Sequence, residues 1–247
     1  MFKILEHIGK YLMLLSRILK RPEKASIYRK QIITEMDKIG INSLGIVAFI
    51  SVFMGGVVAL QTAFNIDSPL IPRYAVGYIT RSSMILEFSP TIVSLILAGK
   101  IGSSIASEIG TMKVTDQIDA LEIMGINSAG YLILPKIVAA MIIHPILIIF
   151  SMFLGVYGGY LVAYFTNEMT TSTYIFGILS FFKEFEIFYA LIKTIVFAFI
   201  ITTVSGYFGY FTTGGALEVG KSSTKAVVNS SIVIIIFNLI LTQLLLT

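Results

Sequence analysis

Apolar residues fall into long runs separated by short polar connections, and five runs are long enough to cross a bilayer as helices. They extend from about Ser43 to Phe64, Tyr74 to Ala98, Tyr131 to Phe165, Ile187 to Phe211 and Ala226 to Leu246. A helix rises about 1.5 Å per residue, so about 20 mostly apolar residues cover the hydrocarbon. The second run is the least clean, because it contains Arg81, Glu87 and Pro90. The third, from residue 131 to 165, would span about 52 Å as one helix, so it must tilt, protrude or bend near Pro145. Residues 65–73, with Asp67, Pro69 and Pro72, read as a short outer loop, and Thr166 to Glu186 as a polar outer loop. Lys100 to Gly130 is the longest relatively polar stretch after the N-terminus.

Residues 2 to about 20 have a different rhythm. Ile4, Leu5, Ile8, Leu12, Leu15 and Leu19 recur at helical spacing, while Lys3, Lys10, Arg17 and Lys24 repeat on another face. This pattern predicts an amphipathic helix, lying in the headgroup plane or packed on the protein's own cytoplasmic side. The chain then divides into an amphipathic segment, residues 1–40, and a transmembrane domain, residues 41–247. Nine of the 18 Lys and Arg residues lie between Lys3 and Lys38. Basic residues beside the first span predict a cytoplasmic N-terminus, and five spans then place the C-terminus outside. No cleavable signal peptide is visible ahead of the first apolar run.

Composition agrees with an all-α integral membrane protein. Of 247 residues, 56% are hydrophobic and 13% charged, with a mean hydropathy of +0.89, whereas soluble domains carry about 25% charged residues. Cysteine is absent and histidine is limited to His7 and His144, so the sequence offers no thiolate or histidine-rich metal centre and no cofactor is expected. The basic balance lies beside a membrane span, which argues against nucleic acid as its partner.

The most informative stretch is GKIGSSIASEIGTMKVTDQIDALEIMGINSAGYLILP, from Gly99 to Pro135. Thr115 is placed to cap a helix starting at Asp116, with Asp116 and Asp119 near its positive end. Gly125 is placed to close it in a left-handed conformation. The result is a helix of about two and a half turns, displaying acids (Asp116, Asp119, Glu122) beside apolar residues (Ile118, Leu121, Met124). Such a helix between two spans is what a soluble partner could grip; the bland reading is a solvated connection. Gly102, Ala106 and Gly110 recur every four residues, as do Gly155 and Gly159, and such rows favour close helix contact in lipid.

The same stretch, with YLILPKIVAA and the later TTGGALEVGKSSTKAVVNS, resembles the MlaE (YrbE) family of permeases and its chloroplast relatives, which serve ABC transporters of phospholipids. The likeness covers nearly the whole chain after the N-terminal helix. It implies a permease in the bacterial inner membrane, working as a homodimer with a phospholipid cavity near the dimer axis. It also implies a cytoplasmic ABC ATPase gripping the helix that begins near Asp116, and an extracytoplasmic partner with an MCE domain. Such systems serve outer-membrane lipid asymmetry. The coupling residues implied are Thr115, Asp116, Gln117, Asp119, Ala120, Glu122, Met124 and Gly125. Asp119-Ala120-Leu121, Gly125 and Leu134-Pro135 also loosely resemble the EAA…G…LP coupling motif of ABC importers, with Asp for Glu and a shorter spacing.

Gly215 to Ser222 satisfies G-x-x-x-x-G-K-[ST], yet a phosphate-cradling loop follows a buried strand and opens a helix. Lying between two membrane spans, this segment reads as a Gly-rich cytoplasmic turn, and the energy source must be another chain. Ionisable groups inside spans need partners. Arg81 and Glu87 are expected to pair with other helices, and Lys136 and Lys193 to snorkel to headgroups. Glu108, with Gly102 and Ala106, is the candidate for a lipid path or gate, against a structural hydrogen bond to a neighbouring helix. His144 reads as structural. The alternative functions are a stand-alone secondary transporter or channel for an amphipathic solute, and a membrane enzyme acting on lipids. No inverted repeat supports the first and no acid–base constellation the second.

Overall fold

In hydrocarbon no water is available to backbone amides and carbonyls, so each apolar run must satisfy its own hydrogen bonds as a helix. A computed structural model describes residues 2–20, 25–66, 71–166 and 169–246, and among these it contains helices and no strand. The elements are α1 (Phe2–Leu19), α2 (Ala25–Asn65), α3 (Ala75–Val114), α4 (Gln117–Ile123), α5 (Ser128–Phe165), α6 (Thr171–Leu179), α7 (Glu184–Tyr210) and α8 (Ala216–Leu246). Five of them, α2, α3, α5, α7 and α8, are long and apolar enough to cross a membrane. Lys24, Asp67 and Pro69, cited above for the row of basic residues and the first loop, lie outside the described residues.

Four boundaries differ from expectation. α3 continues past Ala98 through Lys100, Glu108 and Lys113, because nothing in residues 99–114 breaks a helix; it stops where Asp116 takes a left-handed φ of 58°. The presumed polar loop 166–186 contains α6, whose apolar side chains pack on the start of α3. α8 begins at Ala216, so Gly220, Lys221 and Ser222 are helical and only the preceding residues turn, with Gly214 at φ 111°. A helix presents no loop of amides to phosphate, which removes the nucleotide reading of that motif. The division after residue 40 falls within α2.

Prolines are absorbed without ending helices. Pro90 lies in a π-helical stretch of α3 (Met84–Val93), a wider turn that removes the need for its missing amide, and a second π stretch follows at Ala98–Gly102. Pro135 and Pro145 both lie inside α5, which runs unbroken for 38 residues.

The α2–α5 seam is the closest. A Cβ on Gly55 would overlap the carbonyl oxygen of Gly155, and one on Gly158 would overlap that of Val52. Ser51 bonds Ser151 at 2.8 Å, and Ser151 bonds Ser89 of α3 at 3.0 Å. The row Gly102, Ala106, Gly110 lies against α7 and its exit: Cβ atoms on Gly102 and Gly110 would come within 2.8 Å of Ser205 Oγ and 3.2 Å of Thr212 Oγ1. His144 bonds Ser94 at 2.8 Å and is buried.

α1 packs its Leu14 and Ile18 into the core while Leu5, Ile8, Leu12 and Leu19 are exposed, so it has both a protein face and an apolar face free for lipid. His7 meets Tyr207 at 2.7 Å and Tyr11 meets Thr203 at 2.8 Å, fixing α1 beside the end of α7. α1, α4 and the start of α8 therefore share one side of the bundle, and α6 lies on the other.

Gly158→Ala is expected to destabilise the fold by about 1–3 kcal/mol through overpacking, read as a lower thermal midpoint in detergent. Gly45→Ala, which has open space around it inside α2, should not lower that midpoint.

Candidate functional site

α4 is short, so its own hydrogen bonds cannot hold it; side-chain ties do. Ile118 is buried under it at 1% exposure. Lys113 Nζ, on the last turn of α3, meets Asp119 Oδ1 at 2.6 Å. Glu122 Oε1 accepts from Arg17 of α1 at 2.7 Å, from Ser128 of α5 at 2.8 Å and from Tyr210 of α7 at 2.8 Å. Asn127 Nδ2 donates to the carbonyls of Arg17 and Lys20 at 2.7 and 2.6 Å. One carboxylate thus gathers α1, α5 and α7 onto the end of α4. An acid in the last turn opposes the helix dipole, which is why it requires these donors.

The start of α4 corrects the sequence reading. Thr115 does not cap it: its hydroxyl donates back to the Thr111 carbonyl at 2.8 Å, closing α3. Asp116 stands in the cap position with left-handed backbone and makes no side-chain cap bond. Gly125 does close the helix, at φ 78°, with the amides of Gly125 and Ile126 bonded to the carbonyls of Glu122 and Leu121 in the Schellman pattern.

Of the eight residues assigned to coupling, Thr115, Asp116, Gln117, Ala120, Met124 and Gly125 lie on the exposed surface, whereas the carboxylates of Asp119 and Glu122 are engaged in bracing. Ile123, which sequence reasoning passed over, is 88% exposed beside Met124 at 66%. An Ile followed by Met at the end of a seven-residue acidic helix was the available signal. The bracing partners Arg17 and Tyr210 gave none, being remote in sequence.

The charges inside the spans form three nodes around buried cations, all involving α3. Lys136 of α5 is 5% exposed and meets Glu108 at 2.7 Å and Glu35 of α2 at 2.9 Å, with Lys38 beside both acids. Lys193 of α7 is fully buried and meets Glu87 at 2.9 Å, whose carboxylate also accepts from Thr91 at 3.0 Å and Asn238 of α8 at 3.2 Å. Arg81, 2% exposed, donates to carbonyls at the end of α6 and just after it, and approaches Glu186 at 3.9 Å. Arg81 and Glu87 thus pair with other helices, as expected. Lys136 and Lys193 do not snorkel, because carboxylates within the bundle satisfy them. Glu108 is hydrogen-bonded to its neighbour and also lines a cleft of about 590 Å³ with Lys30, Thr34 and Tyr131, on the α1 side. Gly102 and Ala106 are placed in the α3–α7 seam rather than in that cleft. Among the described residues no cluster of His, Asp and Glu could hold a metal ion.

A model of the family described as Permease MlaE matches residues 32–244. A probable ABC transporter permease protein of Rickettsia bellii is 37% identical over 98% of this chain and 93% of that protein. A probable ABC transporter permease protein of Synechocystis is 32% identical over 88% of this chain and 82% of that protein. The protein TRIGALACTOSYLDIACYLGLYCEROL 1, chloroplastic, of Arabidopsis thaliana is 30% identical over 92% of this chain and 65% of its own length.

Burial at Glu122 favours the protonated form, but the donors Tyr210 and Ser128 and the Arg17 charge outweigh it and hold the carboxyl below its ordinary value. This tie therefore stabilises α4 fully above the ordinary carboxylate value and is lost as pH falls through the lowered one. A spin label at Ile123→Cys should be more mobile under acid than at neutral pH, and Glu122→Gln should show that gain already at neutral pH. Separately, Lys136→Met removes the buried cation between Glu108 and Glu35 and leaves them only the half-exposed Lys38, so a lower thermal midpoint is expected, which Glu35→Gln partly restores.

Proposed function

This chain belongs to the MlaE permease family, and on that premise we propose that it is the membrane subunit of an ABC transporter moving phospholipids between the bacterial inner membrane and an extracytoplasmic MCE-domain partner. The side bearing α1 and α4 is cytoplasmic in this reading, consistent with the nine basic residues between Lys3 and Lys38. A separate ABC ATPase supplies the energy. Two copies of the chain assemble around a lipid cavity.

The observation that carries the proposal is α4: a short helix with Ile123 and Met124 unpartnered at its tip, braced to α1, α3, α5 and α7. A partner gripping Thr115, Asp116, Gln117, Ala120, Met124 and Gly125 would move a body instead of bending a loop. Asp119 and Glu122 serve coupling by holding the lever to the spans. Its motion passes into α3 and along the Gly102–Ala106 seam. Glu108, tied to Lys136 beside the cleft, acts as a gate on the lipid path. Rigid elements sliding between two packings are a recognised route for such switching. Lipid as cargo is supported by the family and by a relative whose name refers to trigalactosyldiacylglycerol.

The test is purification of the tagged chain from native membranes in mild detergent, with mass spectrometry of co-purifying proteins and lipids. The expected result is an ABC ATPase, an MCE-domain protein and phospholipid with the unaltered chain. Asp116→Lys/Ile123→Glu, which alters exposed positions outside the brace, should lose the ATPase and keep the dimer and lipid. An unaltered dimer without any ATPase would contradict the proposal in favour of a stand-alone transporter.

A further inference from the structure

The connection between α5 and α7 is apolar outside and polar inside, the reverse of an aqueous loop. On its outer surface Phe176, Leu179, Phe181 and Phe182 are exposed, Phe181 at 70% and Leu179 at 73%, and Phe185 and Phe188 follow at the start of α7. Its carbonyls point inward to internal donors. Arg81 Nη1 donates to Ile178 O at 2.6 Å and Ser180 O at 3.0 Å, and Nη2 to Phe181 O at 3.3 Å. The Ser180 amide donates to the carbonyls of Phe176 and Gly177 at 3.0 and 3.2 Å.

Phe181 has φ 54°, an unfavourable conformation for a bulky side chain, which persists only where the surroundings enforce it. The Arg81 guanidinium is that enforcement. It is buried between the rings of Tyr78 and Phe182, at 5.2 and 5.4 Å, and its bonds hold the turn with Phe181 directed outward.

In water the carbonyls of a turn bond to solvent, so such a clamp is not needed to satisfy them. At membrane depth non-helical backbone is tolerated only when protein groups satisfy it. The apolar surface also continues onto a span: Phe185, Phe188, Ile192 and Ile195 form one exposed row down α7. Lys183 and Glu184, both exposed, follow directly in the chain, and such charged side chains extend to headgroups.

We infer that residues 175–185 form a wedge inserted into the phospholipid leaflet on the side away from α1, clamped by Arg81. The occupant of this apolar surface is lipid acyl chain, continuous with the lipid around α7. The wedge sets the depth of α3 and α7 in that leaflet and gives lipids at the rim an apolar shelf. It rests on the membrane spans and not on the identity of the cargo.

The chain contains no tryptophan, so Phe181→Trp and Leu179→Trp each create a single reporter. Each full-length variant is reconstituted into phosphatidylcholine vesicles with bromines at shallow or deep acyl positions. Blue-shifted emission is expected, with at least half of it lost to shallow bromines, less to deep ones, and little to aqueous iodide. Ile235→Trp, on the exposed face of α8, is the lipid-facing reference and confirms insertion. Quenching by iodide but not by bromines, with the reference behaving normally, overturns the wedge. Shielding from both quenchers overturns it as well, since the turn would then be covered by protein. Arg81→Gln in the Phe181→Trp background should red-shift the emission and raise iodide quenching several-fold. If it leaves both unchanged while the reference stays inserted, the clamp is overturned.

Discussion

A charged side chain inside hydrocarbon must find its partner within the protein, and the architecture of this chain follows from that constraint. Its spans carry Glu35, Arg81, Glu87, Glu108, Lys136 and Lys193, and none is left to lipid. The pairings make α3 the shared member. Arg81 ties it to the turn after α6, Glu87 ties it to α7 and α8, and Glu108 ties it to α5, whose Lys136 also reaches α2. Removing one partner from such a pair costs more than the pair contributes, because the other charge stays buried. The nodes therefore specify which helices meet, while glycine seams determine how closely.

The same helix leads into α4. The brace around Glu122 and the Lys113–Asp119 pair leave little freedom between the short helix and the ends of α1, α3, α5 and α7. In the proposed cycle this converts a push at Ile123 and Met124 into displacement of α3, whose π-helical stretches at Met84–Val93 and Ala98–Gly102 mark where its ladder is already rearranged. The opposite end of α3 is held by Arg81 to the outer wedge. One span thus joins the proposed coupling surface to the far leaflet.

Much of this was legible in the sequence, and the misses share a cause. The five spans follow from run length alone, since hydrophobicity in lipid is a local property. So does the closure of α4 at Gly125, which one residue's backbone freedom decides. The fate of Lys136 and Lys193 was misread because their carboxylates lie on other helices, 28 and 106 residues away for Glu108 and Glu87. α6 was hidden because Thr170 to Thr173 and Lys183 to Glu186 make the average polar, although Tyr174 to Leu179 are not. Thr115 had the right type for a cap but was used to end α3 instead. Exposure at Ile123 became visible only once Ile118 was seen to supply the buried contact.

The central claim is that α4 is a braced lever and not a flexible loop. Spin labels at Met13→Cys and Met124→Cys, in a chain with no native cysteine, measure it directly in the assembled complex. Both positions are exposed, on α1 and at the end of α4. With one doubly labelled copy per dimer, the account requires one narrow distance distribution, the same without nucleotide and with ATP trapped before hydrolysis. A broad distribution, or a distance that shifts with nucleotide, would mean that α4 moves against its own brace and would contradict it.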